Sequence, residues 1–229
     1  MKKIRPIVLD LRDVAVRNVL EGRQVETRLP LKTKLPEWTK RVDLLFDVKS
    51  PEGPDHWLSI GVRPNGQEYA EEIEELPPYR SGQVLYVRET WGKTEDGAKL
   101  YRADQGPGDV EKWHSPITMP PDLARIYLRV KSVSLQGLGS MCDQDCRENG
   151  ARWVDFGLDL WGEPCDGWTM DPDHHTLGYD HCYSSPQLAY AQAWDAAQPP
   201  ATRYARSPWV WVVRFEKIDK PVSKKKESK

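Results

Sequence analysis

Arg23, Gln24, Thr27 and Arg28 fall within six residues, two cations, an amide and a hydroxyl in the run EGRQVETR. Guanidinium forks suit phosphate or carboxylate, and Gln or Thr can hydrogen-bond the edge of a base. The run reads as one wall of a ligand cleft. The alternative is a solvated segment whose arginines pair with Glu21 and Glu26. A second polar group, Arg88 and Glu89, ends the run SGQVLYVRETWG and is followed by Trp91, a stacking surface for a base. Its alternative is an internal Arg–Glu pair. Cys165, His174, His175, His181 and Cys182 share one stretch, and Cys142 and Cys146 stand four apart. Thiolates and imidazoles are zinc ligands, but the paired C-x2-C spacing of a zinc staple is missing, so no metal site is assigned.

These residues need elements to hold them. Alternation at Ile7 and Leu9 predicts a first strand, and Asp13 is placed to cap a helix from Val14 to Glu21 that stops at Gly22. Strands are predicted in SGQVLYVRETWG, AKLYRAD, ARIYLRVKSVSLQGL and PWVWVVRFEKI. Helices are predicted from Ser140 or Cys142 to Glu148, ending at Gly150, and over Pro186 to Trp194. Trp209 and Trp211, two apart on one strand face, read as core. The run from Trp113 to Pro120, with Met119, reads as a wall or lid. Two stretches, about 31–80 and 151–185, read as loop-rich insertions, the first with a hairpin around Asn65 and Gly66. The pattern predicts an α+β fold: a small mixed β-barrel with short helices, one domain over residues 1–219, and a basic disordered tail at 220–229.

The 229 residues carry 33 Lys and Arg against 35 Asp and Glu, so the net charge is −2. That near-neutrality hides segregation. Residues 1–41 hold eleven basic and five acidic side chains, whereas 141–181 hold two and ten. Basic ends brought together would offer a positive face to a nucleotide or nucleic acid. Ten Trp among 38% hydrophobic residues exclude wholesale disorder. No apolar run reaches the roughly 18 residues of a spanning helix, and Arg5, Pro6 and Asp10 interrupt any signal-peptide core. A soluble, cytoplasmic protein with no membrane association is the expectation.

Five blocks in order, VLEGRQVETR, SGQVLYVRETWG, WHSPITMPPDLARIYLRV, CRENGARW and SPWVWVVRFEKI, resemble the ASCH family of PUA-like proteins, in the longer branch common in phages and prophages. The likeness covers about half the residues and neither insertion. It implies a PUA-like pseudo-barrel with an RNA-, DNA- or nucleotide-binding cleft beside the first helix, walled by Arg23, Gln24, Thr27, Arg28, Arg88, Glu89 and Trp91. Small members of the family include an amidohydrolase that deacylates acetylcytidine with a Lys, a Thr and a Glu. Thr27 and Glu148 would hold the Thr and Glu positions, but Gln24 stands where the Lys belongs, and an amide is no base at neutral pH. Binding without turnover is the preferred expectation, hydrolysis of a modified nucleoside the alternative, and a phage-type protein-interaction module a further one.

Overall fold

The computed structural model describes residues 4–9, 12–37, 39–45, 56–62, 65–94, 97–104, 110, 112–158, 162, 164–171 and 182–221. A five-stranded sheet organises them. Its members are β1 (Arg5–Ile7), β2 (Glu26–Pro30), β6 (Val84–Val87), β9 (Tyr127–Gly137) and β12 (Trp209–Ile218), in the order β1-β6-β9-β12-β2. Only β1 and β6 run parallel. The connection from β1 to its parallel neighbour β6 is long, running through the helix α1 (Arg12–Leu20), β2 at the opposite edge and the first insertion. Among the described residues the other α-helices are α2 (Asp143–Glu148) and α3 (Pro186–Ala197).

The longest alternating runs in the sequence become the two central strands. β9 and β12 pair antiparallel over almost their whole length, with a register slip between Arg214 and Phe215. Their buried residues Leu128, Val130, Val210, Val213 and Phe215 join Val16 and Val19 of α1 and Tyr190 and Trp194 of α3 in the main core. Burying side chains of this size contributes roughly 1.5–3 kcal/mol each. Trp194 closes that core at 0% exposure, with its indole N–H donating to the Thr202 carbonyl at 2.7 Å. Trp211, 1% exposed, packs in a second cluster with Leu35, Ile73, Leu135 and Trp209, so both closing-strand tryptophans serve as core.

α1 ends as its sequence predicts: Gly22 takes φ +73°, and its N–H bonds the Val19 carbonyl. α2 likewise stops before Gly150, at φ +106°.

The two insertions are more ordered than the sequence suggests. The first contains β3 (Arg41–Leu45), β4 (His56–Val62) and β5 (Glu68–Ile73), an antiparallel sheet whose β4–β5 hairpin turns at Gly66 with φ +83°. The second contains the antiparallel pair β10 (Arg152–Leu158) and β11 (Pro164–Thr169), on which Trp153 and Trp168 are cross-strand partners in edge contact at 5.9 Å. Pro, Gly and acidic residues had masked the strand pattern there. β7 (Trp91–Lys93) and β8 (Lys99–Tyr101) form a further pair.

The fold is therefore mixed α+β. Among the described residues the main sheet does not close: β1 and β2 are its two unpaired edges. The segment after β5 spans the gap between them. At one end the Tyr79 hydroxyl donates to the Pro6 carbonyl at 2.8 Å and Arg5 donates to the Pro78 carbonyl at 3.1 Å. At the other, Glu75 accepts the N–H groups of Lys32 and Thr33 just past β2. No helix among the described residues is long and apolar enough to cross a membrane. The basic tail from residue 222 lies outside the described residues.

Candidate functional site

The turn after α1 is tied inward. The N–H groups of Arg23 and Gln24 both donate to the Asn18 carbonyl, at 2.7 and 3.1 Å. The Arg23 guanidinium bonds the Asn18 side chain at 3.0 Å and ion-pairs with Glu21. Gln24 is 2% exposed, bridges to Asn149, and donates its amide to the Glu26 carbonyl at 2.8 Å.

β2 then imposes its alternation. Side chains of a strand point to opposite faces in turn, so Glu26 and Arg28 share one face and Thr27 takes the other. Arg28 is fully buried, ion-paired with Glu26, 3.9 Å from Asp145 and 6.0 Å from the Tyr190 ring centre. Glu26 also accepts from Asn149 at 2.7 Å and meets the Arg214 guanidinium at 2.9 Å. Arg214 reaches on to Glu148 at 2.8 Å. Three carboxylates and two guanidiniums thus interlock where β2, β12 and α2 meet. Desolvation would be prohibitive for any of the buried members alone.

Of the expected cleft wall, Gln24, Thr27 and Arg28 are all buried, and Arg23 and Arg28 pair with Glu21 and Glu26. The physical reason is α2, whose Asp145, Glu148 and Asn149 cover this end of β2. The structure brings Gln24, Arg28 and Glu148 together as expected, but it puts Thr27 on the sheet face away from them. Sequence reasoning missed Arg214, Asp145 and Asn149. One signal was present: Arg214 interrupts the apolar run WVWVVRF at the residue that pairs with Glu26 across the ladder.

The second expected group is also inward. Glu89 is 1% exposed and accepts three hydrogen bonds from Arg125, at 2.6 to 3.1 Å. Burial pushes its carboxyl above the ordinary value, and Arg125 offsets only part of that rise. Arg125 also grips Asp104 at 2.5 and 2.8 Å and lies 4.0 Å from the Tyr101 ring centre. The partner of Glu89 is therefore Arg125, not Arg88, whose guanidinium lies 5.9 Å from the Tyr86 ring centre. Trp91 stacks on His114 at 4.6 Å, which occupies one face of its indole. Within the Trp113–Pro120 run, Met119 is buried and its sulfur accepts the Glu89 N–H at 3.1 Å, whereas Ile117 is exposed. Among the described residues no hydrogen bond or ion pair joins this group to the Arg28 cluster.

His174, His175 and His181 lie outside the described residues, as does the Cys165 side chain. Cys142 is exposed at the start of α2 and Cys146 is buried, its thiol pushed up to about 12 by desolvation. Among the described residues no three His, Cys, Asp or Glu gather as a metal site.

A concavity does lie beside the first helix, with other walls. A groove of about 640 Å³ runs from Leu20, at the end of α1, along the start of β9 to the end of β12. Arg125, Arg129, Lys217 and Lys220 line it against a single acid, Asp219, and Ile126, Val84 and Ile218 form an apolar floor. Lys217 is held in place by donating to the Leu20 carbonyl at 2.8 Å. That carbonyl belongs to the negative end of the α1 dipole, which favours a cation there. Arg129 and Lys131 share Glu216 on the adjoining surface.

Compared with protein-family models, with curated proteins and with solved structures, the chain matches none.

Proposed function

We propose that this chain is a PUA-like module of ASCH type that binds RNA, DNA or a nucleotide-type ligand in the groove beside α1, without turning it over. The observation that carries this reading is the lining of that groove: Lys217 and Lys220, with Arg125 and Arg129, which keep their ion pairs to Glu89, Asp104 and Glu216, around an apolar floor. Phosphates take the rim, and Ile126 and Ile218 offer a dry surface to a sugar or base. The chain leaves the groove at Pro221 and continues with Lys224, Lys225, Lys226 and Lys229 against Glu227 alone. Cations in a run of this kind add phosphate contacts whose strength falls with salt.

The sheet supports the barrel half of the reading. Its two edges, β1 and β2, are bridged by the 74–79 segment, as in a pseudo-barrel whose seam is filled by a linker. Binding without hydrolysis is favoured because Thr27 and Glu148 lie on different sides of β2 and the buried Gln24 amide cannot act as a base. The test is fluorescence anisotropy with a labelled single-stranded RNA, a DNA of the same sequence, and a mononucleotide as competitor. Lys217→Ala with Lys220→Ala should weaken polymer binding about tenfold while the thermal midpoint stays within a few degrees. Unchanged affinity in the double variant would contradict the assignment.

A further inference from the structure

We propose that the seam between β1 and β2 is a second ligand site, for a small molecule carrying an oxyanion on an apolar ring, and that Glu75 is its built-in competitor. The seam holds a cavity of about 760 Å³, separate from the basic groove and independent of the reading above. Arg5 of β1 and Lys32 beyond β2 bring cations to it from opposite sheet edges, and Tyr79 and Trp211 supply aromatic walls.

Three donors converge inside it. The backbone N–H groups of Lys32 and Thr33 lie 2.8 and 2.7 Å from one oxygen of Glu75, and the Trp211 indole N–H lies 3.3 Å from the other. Two successive main-chain N–H groups aimed at one point form an anion-binding concavity. A planar carboxylate on the bridging segment fills it here. Glu75 belongs to the segment that bridges the sheet edges, so releasing it frees the donor set without breaking a strand.

The charge count favours an incoming anion. With Glu75 withdrawn, Arg5 and Lys32 face the donors with only Glu74 remaining of the acids in the cavity lining. Leu29, Pro30, Leu76 and Pro78 add apolar surface that a bare ion cannot use, which points to a ring-bearing ligand. A phosphate monoester and a carboxylate offer the same chemistry, and the intramolecular carboxylate lowers the apparent affinity of either by holding the site closed.

The test follows the tryptophan indole N–H resonances in NMR titrations with phenyl phosphate, benzoate and inorganic phosphate. The Trp211 signal is identified by its displacement in the unliganded Glu75→Gln protein. Phenyl phosphate or benzoate should move that signal saturably, and Glu75→Gln should bind about tenfold more tightly than wild type. Which of the two binds better distinguishes a phosphate from a carboxylate source. Lys32→Ala, which removes a cation of the lining but keeps both backbone donors and Glu75, should weaken binding about fivefold and guards against a Glu75 variant that fails to fold. An immobile signal in both proteins, equal affinity in wild type and Glu75→Gln, or binding of inorganic phosphate as tight as of phenyl phosphate would each overturn the proposal.

Discussion

Arg28 and Glu26 face each other from positions two apart on β2, both at 0% side-chain exposure, and form the centre of a charge cluster closed by Arg214, Asp145 and Glu148. Removing one partner strands the other charge out of water. Arg28→Ala should therefore destabilise the protein by about 3–5 kcal/mol in urea unfolding. Glu26→Ala on top of it should cost less than the sum of the two single changes, because it removes the stranded carboxylate. Additive losses would show that the pair does not interact.

Gly150 predicts a second large loss. Its φ of +106° is strained for any residue with a Cβ, and a methyl group there would come within 2.6 Å of the Asn18 Cγ. Asn18 is itself fully buried, donates to the Met170 carbonyl at 3.0 Å, and holds the turn after α1 through its main-chain oxygen. Gly150→Ala should lower stability by about 2 kcal/mol or more. A midpoint shift of only a degree or two would contradict this close packing of α1 against the turn after α2.

The two cysteines of α2 should differ sharply in reactivity. With its thiol near 12, Cys146 is ionised to about one part in ten thousand at pH 8 and is sealed from reagent, whereas Cys142 is exposed. Iodoacetamide followed by peptide mapping should label Cys142 and leave Cys146 unmodified until the protein unfolds. Comparable labelling of both in the native protein would show that α2 opens readily.

Incubation with acetylcytidine should leave its absorbance unchanged, because β2 turns Thr27 away from Glu148. A decrease abolished by Thr27→Ala would reinstate the amidohydrolase reading.

Much of the scaffold was legible because it rests on local patterns. The alternation of β9 and β12, the stop at Gly22 and the end of α2 before Gly150 each follow from period and backbone chemistry within a few residues. The insertions were less legible, since β3–β5 and β10–β11 mix Gly, Pro and like charges that blur a strand pattern. The site was the least legible part. The near partners of Arg23 and Arg28, Glu21 and Glu26, were legible as the alternative reading; Asp145, Glu148, Asn149 and Arg214, which enclose the Glu26–Arg28 pair, come from more than a hundred residues away. Glu89 shows the same effect, its true partner Arg125 lying 36 positions on. A charged residue on a strand cannot be assigned to solvent or core without knowing what packs across it.

The salt dependence of nucleic-acid affinity, compared between wild type and Lys220→Ala, tests the basic groove most directly. Anisotropy titrations with a single-stranded oligonucleotide between about 50 and 200 mM salt should give a linear decline of log affinity against log salt, with the slope reduced by about 0.7 in the variant as one phosphate contact is lost. A flat plot for the wild-type protein, or the same slope in both proteins, would contradict the account.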